Sequence, residues 1–202
     1  MTRPEPLRTA LRAVDDTDAL ERLRARLAAR ASATGLLDVA YRTVDSPLGL
    51  LLLAATPLGL VRVAFAVEDH DLVLAQLAER ISPRLIHDSA RLDHAAREID
   101  DYFRKRRRGF DVPLDLQLAH GFRRVVLDHL PEIAYGTTAS SAAIAVAAGT
   151  PKAARAVGSA CATNPLPVVL PCHRVVRTDG NLGGYVGGLD AKRALLSLEA
   201  TT

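Results

Sequence analysis

Pro171-Cys172-His173 sets a thiol beside an imidazole at the end of an apolar run whose flanks and middle carry prolines: Asn164-Pro165-Leu166-Pro167-Val168-Val169-Leu170. The thiolate is the nucleophilic form of cysteine, and a neighbouring imidazole can take its proton directly or through water. A carboxylate behind the imidazole would complete a relay, while the prolines fix the backbone that presents the thiol. The dipeptide alone does not establish this chemistry, since most buried cysteines are inert core residues and adjacent side chains on a strand point apart. Cys161 is the other cysteine. No histidine stands beside it, and it reads as a small apolar packing residue.

Two cysteines are too few and too close for a disulfide framework, and no Cys/His set has zinc spacing. Neither a metal nor a cofactor is expected. The net charge of +3 and pI near 9.1 suit a nucleic-acid partner and equally suit proteins that never meet one. The apolar stretch 48–66 is interrupted by Pro57, Gly59 and Arg62, so it reads as a hairpin of two buried strands rather than a membrane span. The first 14 residues lack the apolar centre of a secretory signal, so a cytoplasmic location is expected.

The segment just before the cysteine run reads as two short helices, at 140–148 and 151–162. Ser140 caps the first, Gly149 closes it, and Thr150-Pro151 supply an N-cap and a first-turn proline for the second. Such a pair suggests a helix-turn-helix, although similar pairs also serve as plain packing units. The second helix is built of Ala, Gly, Val, Ser and Cys with one long polar side chain, Arg155. It lacks the Asn, Gln and Arg set that reads base edges. A smooth helix can instead approach a groove closely, and a single arginine can enter the duplex where a base has left.

Upstream, residues 15–31 read as a helix, with an Asp18/Glu21 capping box and Leu20, Leu23 and Leu27 on one face. Residues 32–35 then read as a linker. From 39 to 66 the composition favours strands, with turns at 45–49 and 56–59, and helices follow at about 70–81 and 91–107. The second helix ends in Arg104-Lys105-Arg106-Arg107-Arg108, cations that complement its carboxyl end; this is a solvated helix end or a DNA-facing patch. Strand signals fade after Pro113 and helical ones take over, beginning with an amphipathic stretch at 122–130. A domain boundary near 115 is expected.

Taken together, Pro151-Lys152-Ala153-Ala154-Arg155-Ala156-Val157-Gly158, Asn164, Pro171-Cys172-His173-Arg174-Val175-Val176 and Gly183-Gly184-Tyr185-Val186-Gly187-Gly188-Leu189 resemble the O6-alkylguanine-DNA alkyltransferases. The likeness is close over 116–199 and looser over 39–112. It implies an α/β (α+β) fold: a small amino-terminal ribonuclease-H-like sheet with helices (39–115), then a mostly helical DNA-binding and alkyl-acceptor domain with a helix-turn-helix (116–202). Residues 1–38 form an amino-terminal helical extension and linker with no family reading.

The resemblance further implies a direct-reversal repair activity in which Cys172 accepts the alkyl group of O6-alkylguanine, and also of O4-alkylthymine, once per molecule. By it, His173 takes the thiol proton through a water and Glu199 orients His173. Tyr185 and Lys192 lie near the guanine, unless they are a packed loop tyrosine and a solvated helix lysine. The Val175 carbonyl and the Val186 amide contact the flipped base, and Asn164 holds the turn into the cysteine segment. Arg155 fills the gap left by the flipped nucleotide, in a DNA surface with Ala154, Gly158 and Ser141. Ser141 replaces the tyrosine usual at that position, beside the phosphate of the rotated nucleotide, a departure that bears on base flipping. The implied partner is double-stranded DNA carrying O6-alkylguanine, met by a monomer without a membrane or small-molecule cofactor. Two other classes stay open on the residues alone: a lesion-binding protein without transfer, which would not need Cys172, and a cysteine hydrolase, which would need an oxyanion hole and turnover.

Overall fold

The computed structural model describes residues 22, 23, 26, 27, 30, 31 and 34–200. The proposed capping box at Asp18 and Glu21 lies outside the described residues. The described positions between 22 and 31 are helical, but Leu23 and Leu27 are exposed, and the apolar contact from this region comes from Ala31 and Leu37.

A four-stranded sheet follows: β1 (Val39–Val44), β2 (Leu51–Thr56), β3 (Gly59–Phe65) and, after helix α1 (His70–Arg80), β4 (Leu85–His87). Its order is β3-β2-β1-β4, with the hairpin strands antiparallel and β1–β4 parallel. Strand β2 is buried along its whole length, because alternate side chains serve two cores. Leu52 and Ala54 pack with Val39, Val61, Val73 and Leu77 under α1. Leu51 and Leu53 face the larger core, which takes in helix α2 (Ser89–Phe103) and continues into the carboxyl-terminal half.

Helix α2 stops at Phe103, four residues before its expected end, because Lys105 takes a left-handed backbone (φ 58°) that no helix continues through. The arginines beyond it are therefore not its last turn. Arg104 and Arg106 pair with Asp100 and Asp101, Arg107 pairs with the buried Glu98 and with Asp111, and Arg108 lies over the Tyr135 ring. This cluster neutralises the acids of α2, which answers most of its charge locally.

The carboxyl-terminal half contains α3 (Gly121–His129), α4 (Ser141–Ala147), α5 (Ala154–Ala162) and α6 (Gly188–Ala200), with a two-strand parallel pair, β5 (Ala139–Ser140) and β6 (Val175–Val176). Ser140 caps α4 through the amide of Ala143. Gly149, at φ 71°, closes it in the paired pattern of Thr150 N to Ala145 O and Gly149 N to Val146 O, a Schellman stop. The start of α5 differs from expectation. Thr150 and Pro151 form a separate turn, closed by Ala153 N on Thr150 O, and α5 begins at Ala154 with no side-chain cap.

Leu60 pairs with Leu114 at the end of the amino-terminal half, and Gly59 is required there, since a Cβ would stand 2.3 Å from the carbonyl oxygen of Pro113. A direct bond joins the two halves. The amide of Val63 on β3 donates to the carbonyl of Pro165, the first residue of the segment that leads to Cys172. Among the described residues no helix is long and apolar enough to cross a membrane.

Candidate active site

The chain arrives at Cys172 through a tight, fully buried path. Residues 164–175 are buried without a break, and Val168 takes a left-handed backbone (φ 73°), costly for a β-branched residue and held there by its packing. Cys172, His173 and Arg174 form one short 3-10 turn, so the thiol and the imidazole do not alternate as they would on a strand.

Asn164 anchors the turn. Its carbonyl oxygen accepts from Leu166 N at 2.9 Å, and its amide nitrogen donates to Leu170 O at 2.9 Å and to Cys172 Sγ at 3.1 Å. Both of its amide protons are spent inside the protein, one on the thiol itself, which fits a structural role. Burial pushes the Cys172 thiol up to about 11, against the opposing pull of the Asn164 amide and the Lys192 ammonium. The thiol is therefore neutral at rest, and its reaction as a thiolate needs a proton acceptor.

His173 is wholly buried. Its Nε2 lies 2.9 Å from Glu199 Oε1, on the last turn of α6, 26 residues away in sequence. Nδ1 is buried without a hydrogen-bond partner among the described residues, leaving it as the ring nitrogen that a water can connect to the thiol. Burial lowers the His173 pKa below its ordinary value, and the Glu199 bond pulls back only part of that.

Glu199 is held by more donors than the relay requires. Arg174 reaches it with Nε (2.9 Å to Oε2) and Nη2 (2.9 Å to Oε1) while giving Nη1 to Ile133 O at 2.6 Å. Gly136 N reaches Oε2 at 3.2 Å, and the Tyr102 hydroxyl of α2 donates to Oε1 at 2.6 Å. Burial alone would raise the Glu199 pKa, but the bonds from His173, Arg174 and Tyr102 outweigh it and hold the carboxyl well below the usual range. The site thus has a permanent buried carboxylate, satisfied on both oxygens.

Lys192 is buried rather than solvated. Its ammonium donates to Val175 O at 2.6 Å and to Leu182 O, tying β6 and the loop after it to α6. Burial lowers its pKa. The Val175 carbonyl, expected at the base, already accepts this bond. Tyr185 is buried, and its hydroxyl donates to no acceptor among the described residues; its ring stands edge-on to Phe65 of β3 and to His173.

Ser141, Ala154, Arg155, Gly158, Val175 and Lys192 line one groove of about 600 Å³, together with Arg177, Gly183 and Gly184. Arg155 is exposed there and makes no ion pair with a described residue. Cys161 also borders this groove, yet is buried, and burial pushes its thiol up to about 12. Val186 borders a neighbouring cavity of about 300 Å³ on the other side of the end of α5, shared with Arg62, Arg80 and Arg123. Cys172 lines neither space.

Cys172, His173 and Glu199 were expected from the sequence; His173 meets Glu199, and Cys172 precedes His173 in the same 3-10 turn. Neither Tyr102 nor Arg174 was assigned a role from the sequence. For Arg174 the signal was its place in the same signature; for Tyr102 there was none, since 97 residues separate it from Glu199.

Comparison with known proteins extends the picture. The family model for the DNA binding domain of 6-O-methylguanine DNA methyltransferase matches residues 121–201, and that for its ribonuclease-like domain matches 39–116. A methylated-DNA–protein-cysteine methyltransferase of Mycolicibacterium paratuberculosis is 40% identical over 161 residues, covering 80% of this chain and 92% of that protein. One from Methanosarcina barkeri is 37% identical over 159 residues, covering 79% and 96%. The crystal structure of Mycobacterium tuberculosis OGT in complex with DNA superposes with a TM-score of 0.69 at 37% identity, over 80% of this chain and 93% of that one.

Proposed function

The chain belongs to the 6-O-methylguanine DNA methyltransferase family, and from that premise we propose that it repairs DNA by moving the alkyl group of an O6-alkylguanine onto Cys172, once per molecule. The observation that carries this reading is the relay: a buried thiol touched by Asn164, followed by an imidazole whose Nε2 is fixed on Glu199.

In the reaction the Cys172 proton passes through a water to Nδ1 of His173. The new Sγ–carbon bond forms in line as the carbon–O6 bond breaks, and the electron pair of that bond stays on guanine. Guanine leaves as the neutral base after taking up one proton, which balances the proton lost by the thiol. The Tyr185 hydroxyl, buried and with no acceptor among the described residues, is the donor suited to the leaving base. A thioether to carbon has no easy hydrolysis, so the protein is consumed.

The groove lined by Ser141, Ala154, Arg155 and Gly158 supports a reading of α4 and α5 as a minor-groove helix-turn-helix. Small side chains there allow close approach, and the unpaired Arg155 is free to occupy the space of a rotated nucleotide. Cys172 is wholly buried beneath this surface, and the glycine-rich segment 183–188 is suited to admitting a base, with the Val175 carbonyl and Val186 amide placed to meet it. O4-alkylthymine fits the same chemistry as a second substrate. The division into 39–115 and 116–202, with 1–38 as an extension, and action as a cytoplasmic monomer complete this reading.

Mixing the protein with one equivalent of O6-methylguanine duplex and measuring intact mass tests it. One added methyl group, mapped to Cys172, is expected. Methylation of Cys161, binding without mass gain, or product beyond one equivalent would each overturn it.

A further inference from the structure

Tyr102 stands apart from the rest of the relay because it comes from the amino-terminal sheet domain. It lies one residue before the end of α2, is completely buried, and packs among Phe103, Phe110 and Tyr135. Aromatic packing alone would be served as well by phenylalanine. The hydroxyl, however, is aimed at the carboxylate: 2.6 Å from Glu199 Oε1 and 3.4 Å from His173 Nε2. Both contacts are to the oxygen and nitrogen through which Glu199 and His173 meet. Hydrogen bonds to an ionised group are among the stronger ones, and here the pair is buried.

We propose that Tyr102 is a positioning residue of the alkyl-transfer relay, by which the amino-terminal domain sets the basicity of Glu199 and so keeps His173 neutral and ready to accept the Cys172 proton. This rests on the proposed function above. The physical reason is competition for one oxygen. Each donor on Glu199 Oε1 makes that carboxylate less basic, and a less basic carboxylate stabilises an imidazolium less. The other groups that face the pair are Arg174 on the same turn, Cys172, Lys192 on α6, Gly136 N, and the rings of Tyr135 and Tyr185. Arg174 and Lys192 both act against a charge on His173, while Glu199 favours it. Burial and the neighbouring carboxylate raise the Tyr102 pKa, so the hydroxyl remains a donor throughout the working range.

Two substitutions separate this role from packing, and they shift the site in opposite directions. Tyr102→Phe keeps the ring and removes the donor; ring-fluorinated tyrosine placed at 102 keeps the shape and makes the phenol a stronger donor. In the full chain, nuclear magnetic resonance of labelled histidine reads the His173 titration, and single-turnover transfer from free O6-benzylguanine reads the rate. Tyr102→Phe should raise the His173 pKa by about one unit, and on the acid limb cut the rate at a given pH about tenfold. The fluorinated residue should move both in the other direction. If the fluorinated protein titrates as the unmodified one does, the proposal falls, whether or not Tyr102→Phe folds. If the unmodified protein transfers no alkyl group, the proposed function falls, while the His173 titration still decides whether Tyr102 sets its basicity.

Discussion

A Cβ added to Gly187 would stand 2.7 Å from two ring carbons of Phe65, so the loop between Tyr185 and α6 can lie where it does only because residue 187 has no side chain. The contact crosses the molecule, from the end of β3 to the loop that carries Tyr185 and Val186. Gly187→Ala should displace that loop and slow transfer to free O6-benzylguanine by about tenfold, the consequence of about 1.4 kcal/mol lost at the transition state. Phe65→Leu in the same chain should restore most of the rate by making room. A single-turnover assay of the two variants checks this; an unchanged rate in Gly187→Ala would mean the loop adapts without cost.

Arg174 and Glu199 form a buried pair, with side chains 7% and 1% exposed. Removing one partner leaves the other as an uncompensated charge, which commonly costs about 3–5 kcal/mol. Arg174→Met should therefore lower stability by about that amount in urea unfolding and also free the Ile133 carbonyl. A loss below about 1 kcal/mol would place the pair in effective contact with water.

The pH dependence follows from His173, which must be neutral to accept the thiol proton. Burial lowers its pKa below the ordinary value near 6.5. Transfer should stay level through neutral pH and fall only as pH drops beneath that value. Single-turnover rates across an acid series, with folding followed by circular dichroism, would show it; a decline beginning above neutrality would mean that His173 is protonated at rest.

Ser141 and Arg155 face the same groove, and changes at the two positions should act in opposite directions on duplex DNA alone. Arg155→Ala should slow repair of a duplex far more than reaction with the free base, because the side chain supports the extruded state. Ser141→Tyr should speed duplex repair by adding a ring beside the phosphate, and leave the free-base rate unchanged. Equal effects on both substrates would move either residue from flipping into the chemistry or the fold.

Much of this molecule is legible in its sequence, because much of it is local. The hairpin of β2 and β3 follows from an apolar run broken by turn residues at Pro57 and Gly59, the Ser140 cap and Gly149 stop of α4 from backbone chemistry, and the buried Cys161 from its small-residue helix. Cys172, His173 and Glu199 are legible through their motif and its resemblance to a known family. Helix ends were less so: Lys105 adopts a left-handed backbone that its type does not announce, which ends α2 early.

What the sequence could not state is which distant groups meet. Lys192 has the composition of a solvated helix residue, and only the carbonyls of Val175 and Leu182, brought over it by the chain, make burial tolerable. Tyr102 reads as one more aromatic in an amphipathic helix. Periodicity says which face of an element turns inward, but not what waits there. That is decided when the sheet domain packs against the last helix, setting a phenol from α2 on the carboxylate that holds His173.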